Sequence, residues 1–438
     1  MKKKEIKRSD NQYDHLSSRY FVKSTPELDE VAYRAHDLFN RALYDLRQSL
    51  FNHGDIYSYQ DLNNLFKGRY DERETMLYHA LGYVQSAQQT LKEVATVWDA
   101  CFKALDAYKA NPNKFTGRPR LVNYLHKNER HTFFVTNQNA RLKNGYISIK
   151  KLNFKLKVDP KIKSIQRLAF KPVHGGYEVF IQYKTNKSIA YKPDNGIYIG
   201  IDPGVDNAFT CVCNKAVQPL IVNGHSIKSV NQYYHKEKAR LQSLQAQYHQ
   251  LEYTLKNGMV VYKQTNQMSK LNTIRNRKVL DFAHKASKRI VEYALNCGAN
   301  TIVIGYNKGW KRSSNMGKRN NQNFLGIPHK MFVDMITYKA NFEGITVIKT
   351  NESYTSQTSF LDGEKPIWQN GNKSRKLQGK SPIYRRFRRG LFKSNKGILI
   401  NADVNAAFQI IKKVFPNAMF ADGIEGVVSR PSKCSILI

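Results

Sequence analysis

An α/β multidomain fold is predicted by three features of the 438-residue chain. Apolar residues recur with helical spacing from Pro26 to about residue 125 and alternate with period two from about 130 to 195; beyond 196, strand-like and helix-like runs take turns. The first two blocks predict a helical module (26–125) inserted into a small β-barrel (1–25 and 126–195). The third predicts a sheet flanked by helices, because strands alternating with helices bury both faces of a sheet.

Each element has its own signal. Tyr20-Phe21-Val22 is a short extended candidate, and Leu28, Val31, Ala35, Leu38, Phe39 and Ala42 keep a 3.6-residue period behind Glu27 and Asp29, acids suited to a helix N-terminus. A second helical stretch covers about Thr75 to Ala110, with Leu77, Leu81, Val84, Leu91, Val94 and Trp98 on its stripe. Strands are expected at 132–135, 146–149, 152–156 and 177–183, punctuated by Lys143-Asn144-Gly145 and Gly175-Gly176. Then come strands at 197–202 and 208–212, basic helices at about 228–256 and 271–297, a strand at 301–304, a helix at 328–342, a strand at 345–349 and a last helix, Ala402 to Val414. Leu241, Leu244, Tyr248 and Leu251 should form one packing stripe, and Val279, Phe282, Ala286 and Ile290 another.

Lysine and arginine outnumber acids by 71 to 34, a formal charge of +37. Such an excess opposes compaction unless a polyanion is bound, so nucleic acid is the expected partner. No apolar run reaches membrane-spanning length, and Met1-Lys2-Lys3-Lys4-Glu5 lacks a signal segment. No membrane association and a cytosolic location, with free thiols, are expected: the five cysteines form no CxxC pair. Arg275, Arg277, Lys278 and Lys285 line the second basic helix and are candidates for phosphate contact.

Three acids stand out by position. Asp202 interrupts a strand in Gly200-Ile201-Asp202-Pro203-Gly204, Glu352 follows the strand 345–349, and Asp403 opens the last helix. Singly they read as a hairpin cap, a loop acid and a helix cap. Together they suit a two-magnesium phosphodiesterase site, which needs several hard oxygen ligands converging.

The ordered motifs Gly200-Ile201-Asp202-Pro203-Gly204, Phe282-Ala283-His284-Lys285, Ser353-Tyr354-Thr355-Ser356-Gln357 and Asn401-Ala402-Asp403-Val404-Asn405-Ala406-Ala407 resemble the ribonuclease-H-like RuvC half of the transposon-encoded TnpB family, ancestral to the type V CRISPR effectors. Ala87-Gln88-Gln89-Thr90-Leu91-Lys92 and Phe115-Thr116-Gly117-Arg118-Pro119-Arg120 are similar to its N-terminal half. The resemblance implies RNA-guided cutting of DNA by a monomer holding one guide RNA, with target duplex opened to a heteroduplex. It assigns 1–25 and 126–195 to a wedge barrel, 26–125 to a recognition module, 196–352 and 399–438 to the nuclease, and 353–398 to a target-nucleic-acid-binding hairpin. Asp202, Glu352 and Asp403 would be catalytic and would ligate two magnesium ions; Arg118, Arg120, Arg385, Arg386, Arg388 and Arg389 join the nucleic-acid contacts.

Two departures shape the reading. The family's glutamate ends the strand that here ends in Gly305; that strand should lie between those leading to Asp202 and Glu352. Glu352 is therefore expected to reach across one extra strand spacing, about 4.8 Å, with no side chain at 305 in its way. The alternative is a nuclease-dead, RNA-guided repressor in which Asp202 and Asp403 are relics. Second, typical relatives carry two CxxC pairs where this chain has Thr358-Ser359-Phe360-Leu361 and Gly390-Leu391-Phe392-Lys393-Ser394, so no structural zinc is expected. Phe360, Leu361, Trp368 and Phe392 would hold the hairpin instead. Asp362 and Glu364 are weaker candidates for the third ligand.

Overall fold

The computed structural model describes residues 15–68, 77–115, 117–185, 189–248, 251–254, 260–307, 309, 317–353, 355–356, 358–364, 386–388 and 390–438, with only the backbone at 251–254 and 386–388. The chain forms two units, Met1–Lys187 and Ser188–Ile438.

In the first unit, strand β1 (His15–Lys23) leads into helix α1 (Pro26–His53). Thr25 caps α1 by accepting the Leu28 N–H at 3.4 Å, and Pro26, which has no N–H to leave unpaired, opens the first turn. Helices α2 (Tyr59–Gly68), α3 (Leu77–Ala80) and α4 (Val84–Ala110) follow. Sequence reading missed α2 because only Leu62 and Phe66 of its ten residues are buried, too few for a visible period. Strands β2 (Phe133–Thr136), β3 (Ala140–Lys143), β4 (Tyr146–Ile149), β5 (Lys155–Lys157), β6 (Arg167–Val173) and β7 (Gly176–Lys184) complete the unit.

The described strands form two antiparallel sheets, β1-β7-β6-β2 and β3-β4-β5, and not one hydrogen-bonded ring. Phe133 stacks on Phe170 at 4.7 Å between ring centroids, and both join the helical residues Leu38, Leu91 and Trp98 in one core. Strands β3 and β6 were not expected: β3 is only four residues long, and Ala169 and Pro172 blur the contrast between the two faces of β6.

The second unit is built on a six-stranded mixed sheet. Its elements are β8 (Tyr198–Pro203), β9 (Asn207–Cys213), β10 (Leu220–Asn223), α5 (His225–Gln247), β11 (Leu251–Thr254), β12 (Val260–Tyr262), α6 (Asn266–Asn296), β13 (Thr301–Gly305), α7 (Lys318–Leu325), α8 (His329–Phe342) and β14 (Thr346–Thr350). After them come β15 (Arg386–Arg388), β16 (Leu391–Lys393), β17 (Leu399–Asn401), α9 (Ala402–Val414), α10 (Ile424–Val428) and β18 (Ser432–Ser435). The sheet order is β14-β13-β8-β9-β10-β18, with β8, β13 and β14 parallel and β9 antiparallel to both its neighbours.

Two expectations for the basic helices are corrected. Helix α5 ends at Gln247, and Leu251 opens a two-stranded hairpin. Of the expected α5 stripe only Leu241 is buried, whereas Leu244 and Tyr248 are exposed. The helix is anchored near its two ends instead, by Ile227 and Asn231 and by Leu241 and Gln245, and needs no continuous stripe between them. On α6 the stripe holds: Val279, Phe282, Ala286 and Ile290 are buried against Ile199, Ile201, Ile304 and the α8 residues Phe332 and Ile336. The other face of the sheet carries α9, where Phe408 and Ile411 pack with Tyr198 and Val212. Among the described residues no helix is long and apolar enough to cross a membrane.

Candidate active site

The alternation of β8 decides where Asp202 points. Ile199 and Ile201 enter the core shared with α6 and α8, so Tyr198, Gly200 and Asp202 face α9. Gly200 lies so close beneath α9 that a Cβ there would collide with the Ala407 carbonyl oxygen and lie 2.8 Å from Ile411 Cγ1. The missing side chain lets the helix sit flush on the strand, which fixes its first turn relative to Asp202.

That first turn carries Asp403, and Asp403 is not its cap. Asn401 caps α9, its side-chain oxygen accepting from the N–H groups of Asp403 at 2.9 Å and Val404 at 3.2 Å. The Asp403 carboxylate is thereby released, and its Oδ2 accepts from Asn207 Nδ2 at 2.7 Å. Asn207, the first residue of β9, was missed by sequence reasoning; an asparagine five residues after the strand acid is too common in turns to single out.

Glu352 comes from two strands away. Gly305 pairs with Thr350 at the ends of β13 and β14, and Glu352 stands two residues beyond. A Cβ at Gly305 would lie 3.0 Å from both Glu352 Cβ and Oε2, and 2.8 Å from Ile410 Cδ1 of α9. The space a residue-305 side chain would enter is therefore filled by the Glu352 side chain. Its loop is pinned on three sides. Asn307 Oδ1 accepts the Glu352 N–H at 3.0 Å, Thr355 Oγ1 donates to the Glu352 carbonyl at 2.8 Å, and buried Lys413 donates to the Ser353 carbonyl at 3.1 Å. Asn307 and Lys413 also escaped the sequence reading, since nothing local marks either.

The three acids share one electrostatic field. Desolvation, then the charges of Glu352 and Asp403, push the Asp202 carboxyl well above the usual range. Burial raises Glu352 to about 7, moderated by the Lys413 ammonium. Glu352 Oε2 is buried and accepts no hydrogen bond, which is costly for an ionised carboxylate. Among the described residues, no three His, Cys, Asp or Glu side chains are drawn tightly enough together to hold an ion by themselves. Mutually repelling carboxylates with an orphaned oxygen nonetheless have the donor chemistry of a hard divalent cation site.

Asp362 and Glu364 are committed elsewhere. Asp362 accepts the Asn395 N–H and Glu364 accepts the Ser359 N–H. Of the basic residues proposed to meet nucleic acid, Arg118, Arg120 and Lys278 are exposed. The Arg275 guanidinium bonds to Asn231 Oδ1 at 2.9 Å and the Gly326 carbonyl at 2.6 Å and sits over Tyr234, fastening α5 to the α7 end. Arg277 is half-buried and already engaged. Lys285 is paired with Asp281 at 2.7 Å and the Leu437 carbonyl at 2.9 Å. Trp368, Arg385 and Arg389 lie outside the described residues, as do the side chains of Arg386 and Arg388.

Comparison with known proteins joins these observations. Residues 180–311, holding Asp202 and Gly305, match the OrfB_IS605 model, described as a probable transposase. Residues 329–410, holding Glu352 and Asp403, match the Cas12f1-like TNB domain. A CRISPR-associated endodeoxyribonuclease Cas12f2 from Micrarchaeota archaeon (strain CG1_02_47_40) is 24% identical over 255 residues, 56% of this chain; the match spans 42% of that relative's length. Among solved structures, a Cas12f1–sgRNA–target DNA complex aligns over 90% of this chain and 98% of that one at 16% identity and a TM-score of 0.36. CasPhi-2 (Cas12j) bound to crRNA and phosphorothioate-DNA aligns over 95% and 92% at 10% identity and 0.41. These structural likenesses are too loose to bear on the site. The sequence matches define a transposase-related α/β protein with a TNB segment. The chain is a TnpB-like relative of the type V effectors.

Proposed function

We propose that this chain is an RNA-guided DNA endonuclease whose third metal-binding carboxylate has moved from the end of β13 to Glu352. The observation that carries the reading is the Glu352 side chain lying over Gly305, on the sheet face shared by Asp202 and Asp403. A formal charge of +37 supplies the field for a polyanionic guide and target. Asp202, Glu352 and Asp403 would hold magnesium, which when bound supplies Lewis-acid activation of the attacking water and stabilisation of the departing 3′-oxygen.

The chain's own residues set the donors. Asn207 turns one oxygen of Asp403 to itself and leaves the other to the site. Asn307, Thr355 and Lys413 hold the Glu352 loop against the sheet end. Exposed Arg118, Arg120 and Lys278 are left to meet phosphates.

Cleavage of a plasmid library by the protein with its copurifying RNA, in magnesium, tests the reading beside Glu352→Ala. Cutting lost in the variant with target binding retained supports it. Target binding without cutting in either protein would make the chain a guided repressor, and absence of a discrete bound RNA would remove the guide.

Two smaller effects are expected. Asn307→Ala frees the Glu352 N–H and should raise the magnesium concentration for half-maximal cutting about 10-fold, the low end for losing an outer hydrogen-bond partner. Asn307→Asp keeps an acceptor and should restore the wild-type midpoint, read from a metal titration of cleavage.

The second concerns stability without metal. The folded protein holds Glu352 near 7 against an ordinary 4.5, so its contribution is fully present below about pH 4.5 and is lost as pH rises through about 7. Glu352→Gln removes that loss. At pH 8 in a chelator its Tm should exceed wild type by about 2–5 °C, with little difference at pH 4.5, measured by differential scanning fluorimetry.

A further inference from the structure

The segment 353–398 contains the two places where the family that this sequence resembles carries cysteine pairs. Here it contains two acids, Asp362 and Glu364, and neither cysteine nor histidine. A structural zinc takes four protein ligands, for the most part thiolates and imidazoles. Both acids are already engaged by backbone: Asp362 accepts the Asn395 N–H with its two oxygens at 2.9 and 3.0 Å, and Glu364 Oε2 accepts the Ser359 N–H at 2.7 Å. The residues present do not fit a structural zinc.

What they build is a pair of turns tied to each other. The first, 358–364, is closed by Glu364 N–H to the Ser359 carbonyl at 3.1 Å, Gly363 N–H to the Phe360 carbonyl at 3.0 Å and Asp362 N–H to Ser359 Oγ at 3.2 Å. The second, the tip between β16 and β17, is closed by Ser394 N–H to the Ile398 carbonyl at 2.9 Å and by Ile398 N–H to Ser394 Oγ at 3.0 Å. The Asp362 carboxylate crosses from the first turn to the second, where both its oxygens accept the Asn395 N–H. Behind them α9 supplies the floor. Buried Asn405 donates to the Thr358 carbonyl and accepts the Phe360 N–H, each at 2.8 Å, and Phe360 stacks on Phe408 at 4.1 Å.

We propose that Asp362 is a metal-free clasp, a carboxylate-to-backbone link that joins the two turns where the resembled family joins them through thiolate-bound zinc. A carboxylate meeting a backbone N–H makes a charge-assisted bond stronger than a neutral one. It can take the ion's place because Asn405 and the stacked phenylalanines already fix the first turn, and a bond from that turn carries its order to the second. The clasp holds the tip of the hairpin whose second strand, β17, delivers Asn401 and Asp403. That last consequence rests on the nuclease reading; the clasp itself does not.

Hydrogen–deuterium exchange of the full-length protein, followed over 390–401, tests the clasp without reference to cutting. In wild type, 1,10-phenanthroline and added zinc should leave uptake unchanged, and elemental analysis should find well under one zinc per chain. Asp362→Ala should speed exchange of this peptide about 10-fold, the effect of removing one charge-assisted bond from a local opening. Asp362→Asn, which keeps a carbonyl acceptor, should fall between. Should Asp362→Ala fail to fold, Asp362→Asn decides the matter alone. Uptake equal to wild type in the variants, or one zinc per chain whose removal raises uptake, would overturn the proposal.

Discussion

On the proposed reading, Glu352→Gln should lower target cleavage by about 10³-fold or more while leaving guide and target binding within about twofold, because it would remove one of three carboxylate donors and keep the side chain's shape. The sharper experiment moves the carboxylate back. Gly305→Glu alone should also lose cutting: its Cβ would press on Glu352 and Ile410 Cδ1, and a second carboxylate would be forced against Glu352. Combined with Glu352→Gly, which vacates that space, Gly305→Glu should recover cutting above either single variant. Ile410 Cδ1 is the far end of a flexible side chain and can turn aside. Recovery in the double variant would establish that one carboxylate serves the site from either strand. A double variant no better than the singles, measured on a plasmid target across magnesium concentrations, would count against relocation.

The largest expected effect on folding is at Gly200. Gly200→Ala places a methyl group against the Ala407 carbonyl, a backbone atom that cannot rotate away, with Ile411 Cγ1 2.8 Å off. The helix must lift from the sheet, at a cost of about 3 kcal/mol or more. For a unit of this size that corresponds to a Tm lower by roughly 6–12 °C. Since α9 carries Asp403 in its first turn, cleavage by the surviving folded protein should fall too. Gly426→Ala, where a Cβ meets nothing within 4 Å, is the control and should leave Tm within about 1 °C. Equal melting of the two variants would mean that α9 does not sit as close to β8 as described.

The elements that periodicity predicts are those with a clear apolar run or stripe. α9 runs from Ala402 to Val414 as its stripe required, and α1 begins at the proline its acids announce. β8, β9, β13 and β14 lie within a residue or two of their apolar runs. The elements that sequence missed are mostly short or poor in buried apolar residues. β6 lies between β7 and β2, and β18 pairs with β10 across some two hundred residues. A four-residue strand such as β3 or β18 offers too short an alternation to stand out, and no local pattern encodes the distant partner of β18.

The amino-acid sequence by itself determined the charge, the order of strands and helices around Asp202, Glu352 and Asp403, and the absence of thiols from 353–398. Those are properties of residue type and spacing. The tertiary structure alone decided that Asn401 and not Asp403 caps α9, that Arg275 bonds to Asn231 and Gly326, that Glu352 fills the space over Gly305, and that Asp362 links two turns. Each of these depends on which side chain reaches a given backbone group or empty volume first, and that is set by strand order and helix seating across hundreds of residues.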